Sequence, residues 1–196
     1  MKNTELLQEQ PSPTLAMNPK KFALWLFIVT VVMLFGAFTS AYIVRAAEGN
    51  WLEFDMPKIF LYSTLIILAS SGTMHWAYLS AKKDELATAK IAMSITTVLG
   101  ISFLVMQFLG WGALVEAGVY FAGTQSNPAG SFVYVLSMLH GVHLVGGVVY
   151  LLYVVLALFQ YKIHAKAMLA MEMCATYWHF LGVLWVYLYF FLQLNN

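Results

Sequence analysis

His140 and His143 stand one helical turn apart in the stretch SMLHGVHLVGG, residues 137–147, and His179 stands in YWHF, residues 177–180. Imidazole titrates near neutrality and is the commonest metal ligand. Three such rings in an apolar setting therefore admit two chemistries. They could ligate a metal or haem, or each neutral ring could hydrogen-bond to a neighbouring helix or a backbone carbonyl. An i,i+3 pair faces one way, but a metal site also wants further ligands and groups that orient the second ring nitrogens. With no cysteine or carboxylate at their depth to complete a closed shell, the three histidines read better as inter-helix hydrogen-bonding groups.

The other polar candidates are His75, Gln107 and Glu172. An ionisable or strongly polar residue inside a membrane span is costly and counts as a functional candidate by default. Gln107, His140, His143, Glu172 and His179 form the expected set of inter-helix polar contacts. Glu172, Thr176, His179 and Val183 fall on one helical face at i, i+4, i+7 and i+11, a polar stripe directed at the fourth segment or at another subunit.

The elements that carry these groups follow from composition. Hydrophobic residues make up 61% of 196 positions and charged residues 10%, against roughly 45–50% and about 25% in soluble chains. Five charge-poor stretches, at about 22–44, 59–81, 91–115, 132–159 and 168–194, each suffice to cross a hydrocarbon core about 30 Å thick. Backbone groups in lipid must be satisfied within their own segment, so the spacing predicts an all-α, polytopic bundle of five transmembrane helices over 22–196. Residues 1–21 read as a flexible cytoplasmic tail without the pattern of a cleaved signal. Lys2, Lys20, Lys21, Lys82, Lys83, Lys90, Lys162 and Lys166 fall on one side, Arg45 and Lys58 on the other. The positive-inside rule then places the N-terminus in the cytoplasm and the C-terminus outside.

At about 1.5 Å per residue, His140, His143 and His179 share a level near mid-bilayer, with His75 in a different layer near the cytoplasmic surface. Gly36 with Ser40, Ser137 with Gly141, and His143 with Gly147 are steps that let helices approach closely. No heptad is visible. The six tryptophans are expected at interfaces and in the bundle core. One cysteine, Cys174, excludes a disulfide framework, and no basic run or phosphate-cradling loop points to nucleic acid. An ion-coupled transporter would want a deep carboxylate and Gly/Pro-broken paired helices, and neither is found.

The chain resembles subunit III of the haem-copper terminal oxidases, the cytochrome c oxidase and quinol oxidase family. Four stretches carry the likeness: MPKIFLYSTLIILASSGTMHWA (56–77), LGISFLVMQFLGW (99–111), MLHGVHLVGG (138–147) and EMCATYWHFLGVLWVYLYF (172–190). Gln107, His140, His143, Glu172, Tyr177, Trp178, His179, Phe180 and Trp185 match the family pattern. The five spans resemble the short form of that subunit, the long form having two further helices at the N-terminus. The resemblance implies a multi-pass protein of the bacterial inner membrane with no catalytic residue, haem or copper of its own, the metals lying in partner subunits. Its implied partners are catalytic subunits I and II, phospholipid in a cleft between helix groups, and in some settings a larger respiratory supercomplex. Trp178 and Trp185 become candidate lipid or subunit contacts, and Glu172 with His164 candidate proton-surface groups. Where many relatives carry membrane carboxylates this chain has Val31 and Gly182, and Gly110-Trp111 replaces an acidic-aromatic pair, so roles resting on those acids do not transfer. Two alternatives stand beside this expectation: an accessory subunit of a nitric oxide reductase, and a self-contained haem or metal protein using His140, His143 and His179.

Overall fold

The computed structural model describes residues 18–163 and 167–195. Five helices follow one another: α1 Pro19–Ala47, α2 Lys58–Lys82, α3 Leu86–Glu116, α4 Pro128–Phe159 and α5 Leu169–Asn195. All are long and apolar enough to cross a membrane; the first four contain their expected spans, and α5 begins one residue after the expected 168. Two begin alike. Asn18 and Asn127 accept from the backbone N–H two residues on, with proline at the first helical position, where its missing N–H and fixed φ suit a helix start. Asn127-Pro128 therefore opens α4 instead of lying within the preceding loop, and α4 starts four residues before the expected 132.

Asn127 also joins two loops. Its amide nitrogen donates to the Asn50 carbonyl at 3.0 Å, and its oxygen accepts from Leu52 N–H at 3.2 Å. At the other end, the α2–α3 turn closes in three residues, helped by the left-handed backbone of Asp84, φ 63°, a conformation Asp tolerates better than most residues. Lys90, in the first turns of α3, places Nζ 3.9 Å from the centroid of the Tyr161 ring beyond α4, a cation–π contact.

Helices α2, α3, α4 and α5 close a four-membered ring, and α1 lies outside it on α4 and α5. The buried residues of α1 are Ile28, Val31, Phe35, Thr39 and Tyr42, a seam of one helical face spaced by threes and fours. Its outward side is as apolar as its inward side, with Val29, Val32 and Met33 exposed. Gly36 and Ser40, expected to pack, lie on that outward side; no atom comes within 4 Å of where a Gly36 side chain would begin.

Candidate functional site

Helix α1 makes no contact with α2, and where the two diverge over α5 they leave a cleft of about 490 Å³. Three successive turns of α5 supply its floor: Glu172, Thr176 and His179. The stripe read from sequence is real, but it faces α1 and α2 instead of α4. Lys21 on α1 forms an ion pair with Glu172. His75 on α2 brings its ring centroid to 6.0 Å from that of His179. Ser71, one turn from His75, bonds His179 Nδ1 at 2.5 Å, joining α2 to α5. The Lys21 and Glu172 side chains remain 42% and 33% exposed, so their attraction adds at most about 1 kcal/mol to stability. The pair's chemistry outweighs its energy: a cation and an anion stand together at the rim of a cleft whose deeper wall carries two imidazoles.

His179 thus belongs with His75, not with His140 and His143. Depth along each helix suggested the reverse, but α2 and α5 pack directly while the His140 ring turns toward Phe103 and Trp185, with centroids at 5.9 and 5.0 Å. Among the described residues no three His, Cys, Asp or Glu side chains gather as a metal site would require. The inter-helix reading also needs correction at two positions. Among the described residues no group bonds either nitrogen of the fully buried His140; ring packing holds it. His143 Nδ1 turns back to Leu139 O in its own helix, 2.7 Å away, while its ring packs on Phe27 and Phe35 of α1. Gln107 does bond across helices, donating from Nε2 to Ser63 Oγ on α2 at 3.1 Å.

Trp178 and Trp185 are buried inside the ring at 1% exposure and cannot serve as lipid or subunit contacts in this fold. Their indole N–H groups donate to Ser70 Oγ and Thr64 Oγ1 on α2, both at 3.0 Å. These hydroxyl partners were missed by the sequence reading. Ser70 and Thr64, six apart on α2, answer Trp178 and Trp185, seven apart on α5, and two hydroxyls set at nearly the spacing of two indoles were the available signal. His164 lies outside the described residues, so Glu172 is placed only by its pairing with Lys21.

One turn beyond His179 the surface becomes apolar. Val183 with Val32, Phe35, Gly36 and Tyr187 lines a groove of about 290 Å³ between α1 and α5.

The family described as cytochrome c oxidase subunit III matches residues 12–195, all five helices. The chain belongs to that family. It is 28% identical over 183 residues to cytochrome c oxidase subunit 3 of Petromyzon marinus, covering 86% of this chain and 67% of the relative. It is 24% identical over 184 residues to cytochrome bo(3) ubiquinol oxidase subunit 3 of Buchnera aphidicola, covering 91% and 95%. With the corresponding ubiquinol oxidase subunit of Pseudomonas aeruginosa it shares 29% over 170 residues, covering 84% and 79%. The chain thus spans about two thirds of the cytochrome c oxidase relative and nearly all of the Buchnera subunit. The family's HGxHxxxG motif does packing work here: a Cβ at Gly147 would lie 2.8 Å from Leu181 Cδ1, so α4 and α5 meet through the glycine. At the positions where carboxylates are absent, Val31 is buried and Gly110 lies against the Phe60 ring.

Replacing His140 by methionine strands no hydrogen-bonding partner and nearly conserves volume. The expected change in unfolding free energy of the isolated chain is below about 1.5 kcal/mol. Equilibrium unfolding in mild detergent measures it; a loss above ~3 kcal/mol would mean that the ring anchors something its neighbours do not account for.

Proposed function

We propose that the chain is the accessory, non-redox subunit III of an aerobic bacterial haem-copper oxidase, embedded in the cytoplasmic membrane beside catalytic subunits I and II. Those partners carry the haem and copper and reduce dioxygen to water; this chain steadies them. The observation that carries the reading is the family match across residues 12–195. The distribution of Lys and Arg supports a cytoplasmic N-terminus, and an odd number of spans then sends the C-terminus outside.

The cleft supports two finer roles. A zwitterionic phospholipid suits it, with its amine toward Glu172, its phosphate toward Lys21, and an acyl chain running past His179 into the apolar groove at Val183 and Phe35. Glu172 of the cleft, with His164 ahead of α5 in the chain, also gives the cytoplasmic side groups that supply protons to the catalytic subunit's uptake mouth.

Affinity purification of the tagged chain from native membranes is expected to bring down haem-bearing oxidase subunits, identified by mass spectrometry; their absence overturns the reading. In the same complex, Lys21→Ala with Glu172→Ala is expected to remove at least half of one tightly held phospholipid per chain, read by native mass spectrometry. Unchanged retention refutes the lipid role. Glu172→Gln with His164→Ala leaving steady-state proton uptake unchanged refutes the proton role.

A further inference from the structure

Gln107 on α3 and His140 on α4 are sealed within the bundle, at 1% and 0% exposure. The contacts between their helices set them at one level. Trp111 Nε1–H on α3 donates to Ser137 Oγ on α4 at 2.9 Å, and Val148 lies 3.6 Å from where a Gly100 side chain would begin, so the two helices run antiparallel. One turn from the Trp111–Ser137 bond toward Gly100, α3 buries Gln107; one turn the same way, α4 buries His140. Those steps of four and three residues are about 6 and 4.5 Å. The His140 ring also meets Phe103, the next turn of α3, at a centroid distance of 5.9 Å.

The hydrogen-bonding groups of this layer are committed except at these two side chains. Ser63 donates its hydroxyl proton to the Phe60 carbonyl at 2.9 Å, so Ser63 Oγ accepts from Gln107 Nε2. Trp111 and Trp185 spend their N–H groups on Ser137 and Thr64, whose own hydroxyls donate to carbonyls within their helices. Gln107 Oε1 and both nitrogens of His140 are left buried with no partner among the described residues. Nearly all such buried atoms in native proteins have a protein or water partner.

We propose that one water molecule is held inside the bundle between Gln107 and His140, donating to Gln107 Oε1 and bonding one imidazole nitrogen. Water both donates and accepts twice, so it serves a bare ring nitrogen or a ring N–H alike. Polar atoms converging from two helices are what a buried water needs to bind. Through it His140 is tied to α3, a link between helices that its packing on Phe103 and Trp185 does not itself supply. The site lies within one chain, whichever subunits surround it.

A map of the intact oxidase fine enough to show ordered water is expected to carry a peak about 3 Å from both Gln107 Oε1 and a His140 nitrogen. No peak there, or Oε1 bonded directly to the ring, overturns the proposal. In nanodiscs, with the full chain carrying isotope-labelled histidine, magnetisation from water protons is expected to reach the His140 ring and to fall at least fivefold in Gln107→Met. The His140 signal is the one lost in His140→Met. No transfer in the wild-type chain, or transfer undiminished in Gln107→Met, overturns the proposal. In equilibrium unfolding, Gln107→Met and His140→Met are expected to depart from additivity by at least threefold in the unfolding constant, as groups sharing one partner do; strict additivity counts against the bridge as decisively. If either variant fails to fold, the map and the wild-type transfer decide.

Discussion

Gly100→Leu is expected to keep the chain from accumulating as a folded bundle. A Cβ at Gly100 would lie 2.6 Å from Trp178 Cη2 and 2.9 Å from Cζ2, closer than real side chains come. The indole cannot retreat. Its N–H is held by Ser70 Oγ on α2, and its far edge already lies 3.6 Å from where a Gly147 side chain would begin. Trp178 is therefore clamped among α2, α3 and α4, and a larger residue at Gly100 must push α3 away. Overpacking of well-filled interiors costs about 1–3 kcal/mol; with three helices fixed on one ring, the expected loss lies at or above the top of that range. Gly72→Ala, at a position with open space around it, should stay within about 1 kcal/mol, the stability scale of a surface change. Unfolding of both variants in lipid nanodiscs makes the comparison, and a Gly100→Leu chain within ~1 kcal/mol of wild type would show that the clamp does not exist.

The contrast between these glycines explains what the sequence could and could not disclose. Each span was legible because a run of about 20 apolar residues has one physical meaning in a bilayer. Which side of a span faces protein was not legible by the same route, because lipid is as apolar as leucine and the usual polarity contrast disappears. On α1, Phe35 is buried and Met33 is exposed, with nothing in their hydropathy to separate them. Gly36 and Gly100 likewise look alike as letters, yet a side chain at one would meet no atom within 4 Å and at the other an indole ring.

Polar residues keep their contrast in lipid, and they carried what the sequence did disclose of the cleft. Glu172, Thr176 and His179 were correctly placed on one face, but their partners required knowing that α5 sits between α2 and α4 and under α1. Depth alone grouped His179 with His140, because depth is one coordinate and contact needs the other two. The pairing of Ser70 and Thr64 with Trp178 and Trp185 would have supplied a second coordinate, since two hydroxyls six apart on one helix and two indoles seven apart on another fix which faces meet. Those same bonds explain why the last span's tryptophans match the family pattern without facing lipid.

Tyr42→Ala is expected to release the Arg45 end of α1 from the bundle. Tyr42 is completely buried and packs edge-on against Trp51, Phe132 and Phe191 at centroid distances of 4.7, 5.6 and 5.1 Å. It thereby joins α1 to its following loop, to α4 and to α5. Its hydroxyl donates to the Asn195 carbonyl at 3.0 Å, satisfying an acceptor in the last turn of α5 that has no partner within the helix. Truncating a buried aromatic costs about 3–5 kcal/mol through lost contacts and the cavity left behind. Because α1 touches only α4 and α5, this loss falls on one helix and is not shared by the ring. Tyr42→Phe keeps the three aromatic contacts and loses one hydrogen bond, an expected cost of about 1 kcal/mol. Hydrogen exchange in nanodiscs should then accelerate at least a hundredfold across Tyr42–Trp51 in Tyr42→Ala, by less than tenfold in Tyr42→Phe, and not at all in the middle of α3. If Tyr42→Ala accelerated exchange equally in α1 and α3, α1 would be an integral member of the bundle core and not a helix laid against it.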